Sequence, residues 1–509
     1  MIPSATIENL GILLAVCYGG WILYARWLHP LARFPGPPLA SISRLWVVLH
    51  VARGKTVLEQ KELHRRYGPI VRIAPNELIM NDARSLKAIY GANSGSEKTD
   101  FYLAFRPPWA RYPDHFSATD EQLHARRRRI VNHAYSMSNV LQAEKYVDKC
   151  TDVLLERFAE LAQQGATVDF FRWARMYAYD AVGEFYFGRM FGFLQNGHDH
   201  LGYLAATDVL IPAMALAGVM PSYIRPIFML VGFMSGRIRK AFGALEHLTK
   251  AADTVVEDRI SEAKKAEGRP GHSDILTRIF DIYHDKGKSL DFEVTDVKME
   301  AFLAFFGGSD TTAITMATTM FHIVKDRRIY RAVLEEIDTA TAKGDLGASH
   351  IAYNEALKLP FLSACIKEGM RVHPTTALPL PRQTANEERL VSGHKIPGST
   401  RIGANAPIVQ SDPAVFGEDA DEFCPERWMR PGADRLGQYI LHFGAGSRTC
   451  LGKHMAMCEL YKVIPQILRS FYLELASPSE TRLETKDYWF YKPTAVKLKV
   501  QRREIRRPN

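Results

Sequence analysis

The sequence predicts a mainly α-helical protein with a minor β component, one continuous body behind an apolar N-terminal helix. From about Ala118 to Lys265 most segments have helical spacing, and further helices are expected over Asp296–Lys325, Lys358–Val372 and about Leu451–Phe471. Strand signals are short. YGPIVRIAPNELIM (Tyr67–Met80) has a turn signal, β-branched residues and a Pro-Asn turn, and reads as a hairpin. Beyond Pro374 the chain is Pro- and Gly-punctuated with brief strand signals, and KPTAVKLKVQ (Lys492–Gln501) reads as a closing strand. No internal repeat or low-complexity linker divides the chain, and polar connections are expected at EGRPGHSD (Glu267–Asp274) and HDKGKS (His284–Ser289).

The first element is the apolar run Leu10–Ala25, LGILLAVCYGGWILYA, which carries no charge and is extended by Trp27 and Leu28. It is near the lower length limit for crossing a bilayer. A cleaved signal peptide carries positive charge before its apolar run; here Glu8 precedes it and Arg26 and Arg33 follow. The expectation is an uncleaved anchor, residues 1–33 with a transmembrane helix over about 8–28, and a cytosolic body. FPGPP (Phe34–Pro38) cannot continue that helix, because proline removes amide donors and fixes φ, so a stiff hinge over 34–38 is expected before a body spanning 39–509.

Composition bounds the rest. With 509 residues, 47% hydrophobic and 24% charged, the chain can bury a large core. Six scattered cysteines without a CxxC pair argue against a disulfide framework or a structural zinc site. The net charge of +9 comes with no nucleic-acid recognition motif, so no nucleic-acid partner is expected.

FGAGSRTCLG (443–452) admits two chemistries. As strand–GxG–helix, with YILHF before it and Glu474 ending a second strand, it would hold a dinucleotide. The third glycine of that fingerprint falls on Thr449, and about 35 residues after Glu474 are too few for a doubly wound sheet. Read around its sulfur, Cys450 stands at a helix start, where the dipole and free amides favour a thiolate ligand. Gly446 and Gly452 allow close approach to a flat macrocycle, Arg448 can bind a propionate, and Phe443 can shield the sulfur. An ordinary buried thiol is the alternative for a lone cysteine; Phe, Gly, Arg, Cys and Gly at these spacings favour the ligand.

Phe443, Gly446, Arg448, Cys450 and Gly452 match every fixed position of FxxGxRxCxG, so the segment resembles the haem-thiolate loop of the cytochrome P450 family, and the resemblance extends over essentially the whole chain. It implies a single P450-fold haem domain, haem b with Cys450 as its thiolate ligand, and a monooxygenase.

Other segments agree. GGSDTT (307–312) sets two glycines and a polar cluster inside an apolar helix, where each glycine costs about 1 kcal/mol against alanine and a buried aspartate is rare. Such violations mark functional sites. The segment resembles the family's [AG]GxDT motif with Gly307 in place of the commoner alanine, which implies that Asp310 and Thr311 deliver protons during oxygen activation. Glu368 and Arg371 sit at i,i+3, a spacing that by default is a surface ion pair; the ExxR resemblance implies instead a buried network with Arg427 of PERW. His124 and Arg128 resemble the family's propionate-binding Trp/His-xxx-Arg pair, with the neighbouring arginines left to solvent or docking.

The resemblance also implies electrons from NADPH through a separate reductase, docking on Arg126, Arg129, Lys453 and Lys462, and an endoplasmic-reticulum location with the catalytic domain cytosolic. Pocket walls are implied at Phe101–Phe116, Ala205–Met220, Phe302–Phe306, Thr375–Leu380 and Trp489–Tyr491, apolar and aromatic stretches that suit a lipophilic small molecule. The run Leu210–Met234 reads either as a membrane-dipping segment or as a buried helix pair. Hydroxylation, epoxidation and oxidative demethylation are all open, in secondary metabolism or detoxification. A P450-fold isomerase or dehydratase needing no reductase, a non-catalytic haem carrier and a nicotinamide dehydrogenase are the rival readings.

Overall fold

The longest helix, Val294–Lys325, is the axis of the body. At its start the Asp296 carboxylate accepts from the Glu293 amide at 2.8 Å, and the Asp296 amide donates to Glu293 O at 2.9 Å. From Thr312 to Phe321 every residue is buried, so this stretch has no solvent face and runs through the core. It packs chiefly against Phe170–Phe187, itself buried along almost its whole length. Gly308 permits that closeness: a Cβ there would lie 2.8 Å from the Val182 side chain. The computed structural model describes residues 4–265, 274–477 and 482–504.

The sheets are small and peripheral, as expected. A five-stranded sheet runs in the order Ile70–Ala74, Glu77–Met80, Arg401–Ala404, Arg382–Gln383, Glu97–Lys98, and its first two strands form the anticipated hairpin. A second sheet joins Thr167–Asp169, Lys497–Arg502 and Phe471–Leu475, the closing strand lying in the middle. The final helix occupies Lys453–Ser470 and the helix bearing Glu368 occupies Pro360–Val372.

Two expectations change. HDKGKS is helical, because Ile275–Leu290 continues through it and stops at Asp291 in the left-handed region. The apolar run 210–234 divides: Tyr203–Val219 is largely buried, whereas Arg225–Phe233 buries no residue and leaves Tyr223, Leu230 and Met234 open. The connection 267–274 lies, apart from Asp274, outside the described residues.

Asn9–Leu28 is long and apolar enough to cross a membrane and is 6% buried. The prolines after it do not act as a free hinge. Pro35 O accepts from Arg72 N at 2.8 Å, and Ala25 O accepts from the Arg72 guanidinium at 2.8 Å. Leu31 is fully buried, and a Cβ on Gly36 would sit 2.2 Å from Arg72 O. The direction in which the apolar helix leaves the body is therefore set by strand Ile70–Ala74.

The Glu368–Arg371–Arg427 cluster is buried. Arg371 donates to both Glu368 oxygens at 2.8 and 2.7 Å, and Arg427 lies 3.4 Å from Oε1. Trp428 Nε1 and the Cys424 amide complete the carboxylate's shell at 2.8 and 2.9 Å. Removing one partner strands the others in a low dielectric. Glu368→Ala is expected to lower the unfolding free energy by about 3–5 kcal/mol, measured by urea denaturation.

Candidate active site

The FGAGSRTCLG loop is shaped by its backbone. Gly444 and Gly446 have φ of 69° and 63°, and a Cβ on Gly446 would come within 2.1 Å of Tyr90 O. The Cys450 amide closes the loop on Phe443 O at 2.8 Å. His442, next to Phe443, faces Thr315 of the long helix at 3.2 Å and ties the loop to the helix across from it. Cys450 opens onto a cavity of about 340 Å³ in the middle of the body. Burial pushes its thiol up, while the Gly452 and Lys453 amides and the Arg128 guanidinium oppose that shift. Gly452 has an ordinary φ of −80°, and its nearest neighbour to an added Cβ is the Cys450 sulfur at 4.0 Å. Local folding alone does not demand glycine there.

The opposite wall is the long helix. Gly307, Gly308, Thr311, Thr312 and Thr315 all line the cavity, and Thr311 donates to Gly307 O at 2.8 Å. A Cβ on Gly307 would meet nothing within 4 Å, so this glycine keeps space open above the sulfur, whereas Gly308 serves helix packing. Asp310 does not line the cavity. It faces away, into a clamp formed by Arg175 at 2.7 Å and Lys492 at 2.8 Å, and both cations also hold the half-exposed Asp208. Burial raises its pKa, but Arg175 and Lys492 outweigh burial and hold it below the ordinary carboxylate range.

One end of the cavity concentrates positive charge. Lys98, Arg128, Arg382 and Arg448 line it, and His124, 1% exposed, packs beside them. Among the described residues neither ring nitrogen of His124 has a hydrogen-bond partner. Burial, then Arg448, His115, Lys98 and Arg128, lower its pKa to about 2. Burial, Arg382 and Arg448 likewise push Lys98 well below its usual value. Arg448 is already engaged: its Nε and Nη2 donate to Glu121 at 2.9 and 2.7 Å and its Nη1 to Ala118 O at 2.8 Å, which leaves two of its five N–H donors. Such crowding of desolvated cations around an unpartnered imidazole fits two incoming carboxylates, which is what the propionates of a haem bring. With Cys450 facing the same space, the residues present fit that cofactor.

Phe443, Arg448, Cys450, Gly452, Arg128 and Thr311 therefore line one cavity, with His124 packed beside its cationic end, and all five implied pocket stretches contribute to its wall. Four placements differ from expectation. Gly446 does not line the cavity; it is needed where the loop meets the backbone of Tyr90–Ala92. Asp310 is one layer behind the cavity. Arg127 is buried, bound to Asp296 at 2.6 Å, and does not face solvent. Lys462 is 2% exposed and bound to Glu144 and Asp148 at 2.9 and 2.8 Å, so it presents no charge to a partner. Lys98 and Arg382 escaped the sequence reading because neither lies in a motif; the antiparallel pairing Lys98↔Arg382 brings them together.

Since the clamp depresses Asp310 below its unfolded value, its stabilising effect is complete above about pH 4 and is lost as pH falls through the lowered value. Asp310→Asn is expected to flatten the acid limb of a plot of melting temperature against pH, and to lower the melting temperature at neutral pH.

A family model described as Cytochrome P450 matches residues 35–500. The chain is similar to "Cytochrome P450 monooxygenase gsfF" of Penicillium aethiopicum, 38% identical over 94% of this chain and 95% of the relative. It is 32% identical to "Cytochrome P450 monooxygenase cicH" of Emericella nidulans over 93% and 94% of the two chains. It is 35% identical to "Cytochrome P450 monooxygenase ACRTS1" of Alternaria alternata over 74% and 99%. With a cavity that presents a cysteine to one face and a cluster of cations to one end, these likenesses identify the chain as a member of the cytochrome P450 family, a haem-thiolate monooxygenase.

Proposed function

We propose that the protein inserts one oxygen atom from O₂ into a lipophilic small molecule of secondary metabolism or detoxification, by hydroxylation, epoxidation or oxidative demethylation. The observation that carries this reading is the pairing of Cys450 and Gly307–Thr311 on opposite walls of one apolar cavity. When bound, the haem supplies dioxygen activation and one-electron chemistry, and the thiolate of Cys450 is its ligand. Phe443, Gly446 and Gly452 shape and shelter the loop. His124 and Arg128, with the remaining donors of Arg448 and with Lys98 and Arg382, bind the propionates.

The chain's own residues manage protons. The Thr311 hydroxyl is spent as a donor on Gly307 O, so in this position its lone pairs can accept a hydrogen bond, and it passes a proton on only by rotating off Gly307 O. Asp310, ionised in its clamp, delivers a proton only by leaving Arg175 and Lys492, and the half-exposed Asp208 offers the route from solvent. The Glu368–Arg371–Arg427 network serves structure.

In this reading residues 1–33 anchor the protein to the endoplasmic-reticulum membrane by one pass, 34–38 form a fixed elbow, and 39–509 form the cytosolic haem domain. The open apolar face of Arg225–Phe233 suits contact with the same bilayer. Electrons come from NADPH through a separate reductase that meets the exposed Arg126, Arg129 and Lys453. The clamped Asp310 beside Thr311 favours this over a rearrangement that needs no protons.

Two measurements test the reading. The reduced protein with carbon monoxide is expected to give the Soret band of thiolate ligation, absent in Cys450→Ala; a band unchanged by that substitution overturns the ligand. Arg126→Glu with Lys453→Glu is expected to raise the KM for reductase several-fold at low salt, with the difference shrinking as ionic strength rises. Steady-state NADPH-dependent turnover at varied reductase concentration reads it.

A further inference from the structure

One wall of the cavity carries a negative charge that oxygen insertion does not use. Glu300 lies on the long helix two turns before Gly307 and about 10 Å along its axis. It is 6% exposed and lines the cavity. Among the described residues its ion-pair partner is His115, with Nε2 2.7 Å from Oε1, and no lysine or arginine bridges to it. The Tyr135 hydroxyl donates to Oε2 at 3.2 Å. A carboxylate offers about four lone-pair positions, so two stay open toward the cavity. In an apolar enclosure such unpaired capacity is costly until a donor fills it.

The other cavity carboxylates are differently placed. Asp114 is consumed by its own turn, accepting from the Phe116 and Ser117 amides and the Ser117 hydroxyl. Glu459 belongs to the helix that follows Cys450, on the sulfur's side. Beside His115 stands an aromatic wall: Phe105, Phe116 and Trp489 have centroids 5.3–5.7 Å apart, two of the three pairs edge to face. That arrangement takes a flat aromatic ring by the same geometry. Lys98, Arg128, Arg382 and Arg448 are taken up by the propionates in this reading, so a cationic guest is disfavoured instead by the apolar, aromatic wall, where a charged group loses its hydration.

We propose that Glu300 is a specificity-determining residue that accepts a hydrogen bond from a hydroxyl of the substrate, and that the substrate is a hydroxylated aromatic molecule. This rests on the reading of the cavity as the substrate site of the monooxygenase. A hydroxyl donating to an ionised oxygen makes the stronger class of hydrogen bond, and the methyl ether of the same skeleton cannot make it.

The test is equilibrium binding to the full-length, haem-loaded protein, read by tryptophan fluorescence and by the Soret shift. The probes are 2-naphthol, 2-methoxynaphthalene and 2-naphthylmethylammonium. The wild type is expected to bind naphthol about tenfold more tightly than the methyl ether, and more tightly than the ammonium. Glu300→Leu is expected to bring the naphthol-to-ether ratio to about one by weakening naphthol alone. Glu300→Gln, which keeps the shape and a weaker acceptor, is expected to give an intermediate ratio and serves if the leucine variant does not fold. A wild-type ratio near one, a ratio surviving in both variants, both neutral probes weakening in step, or the ammonium binding most tightly would each overturn the proposal. The carbon-monoxide spectrum of the same samples reads the haem-thiolate assignment separately, so the two ideas can fail independently.

Discussion

A single carboxylate without solvent exposure, Glu368, holds together segments that are distant in sequence. Its two oxygens take Arg371, Arg427, Trp428 and the Cys424 amide. Arg371 then donates onward to the carbonyls of Gln410, Ala420 and Glu422. Gln410 repeats the pattern: its amide nitrogen donates to Met370 O and Arg371 O, while its oxygen accepts from the Leu441 amide at 2.6 Å. Leu441 stands two residues before the cysteine loop. The position of the sulfur thus derives from an ion pair on another helix, through fixed hydrogen bonds with few torsions to spare. Charges buried this deeply are costly, and their return here is geometric definition more than stability.

The cavity inverts that logic. Around Glu368 opposite charges are satisfied within the chain, whereas at the cavity end cations outnumber anions and an imidazole has no hydrogen-bond partner among the described residues. A site assembled this way holds a binding potential that the protein alone cannot discharge. Asp310 shows a third arrangement, an anion overcompensated by two cations and connected to the surface by Asp208. The three buried charge clusters are thus balanced, cation-rich and clamped, and in the proposed function they hold the loop, receive the cofactor and gate protons.

The exit of the apolar N-terminal helix is constrained by packing too. The stiff proline elbow is also held from outside, since Arg72 fixes both Ala25 and Pro35. The exposed apolar helix Arg225–Phe233 connects to the Tyr203–Val219 helix, whose Ile211 reaches the cavity wall. The exposed apolar face and the cavity wall are therefore neighbours in the fold.

The helices, the hairpin, the closing strand and the cysteine loop were legible in sequence, because apolar periodicity, turn chemistry and motif spacing are local properties. HDKGKS was misread for the converse reason: a polar stretch can stay helical when the turns before it are packed, as Ile275–Phe280 are. Lys462 read as a surface charge until Glu144 and Asp148 of another helix enclosed it. Lys98, Arg382, His115 and Glu300 lie in no motif. They became a site only through strand pairing and helix packing across hundreds of residues. The sequence by itself determined the cysteine loop, the glycine–threonine segment of the long helix and the i,i+3 spacing of Glu368 and Arg371, since each is written within ten consecutive residues. Tertiary structure alone decided which charges are left unpaired, because an electrostatic balance is set by every group within reach in space, whatever its place along the chain.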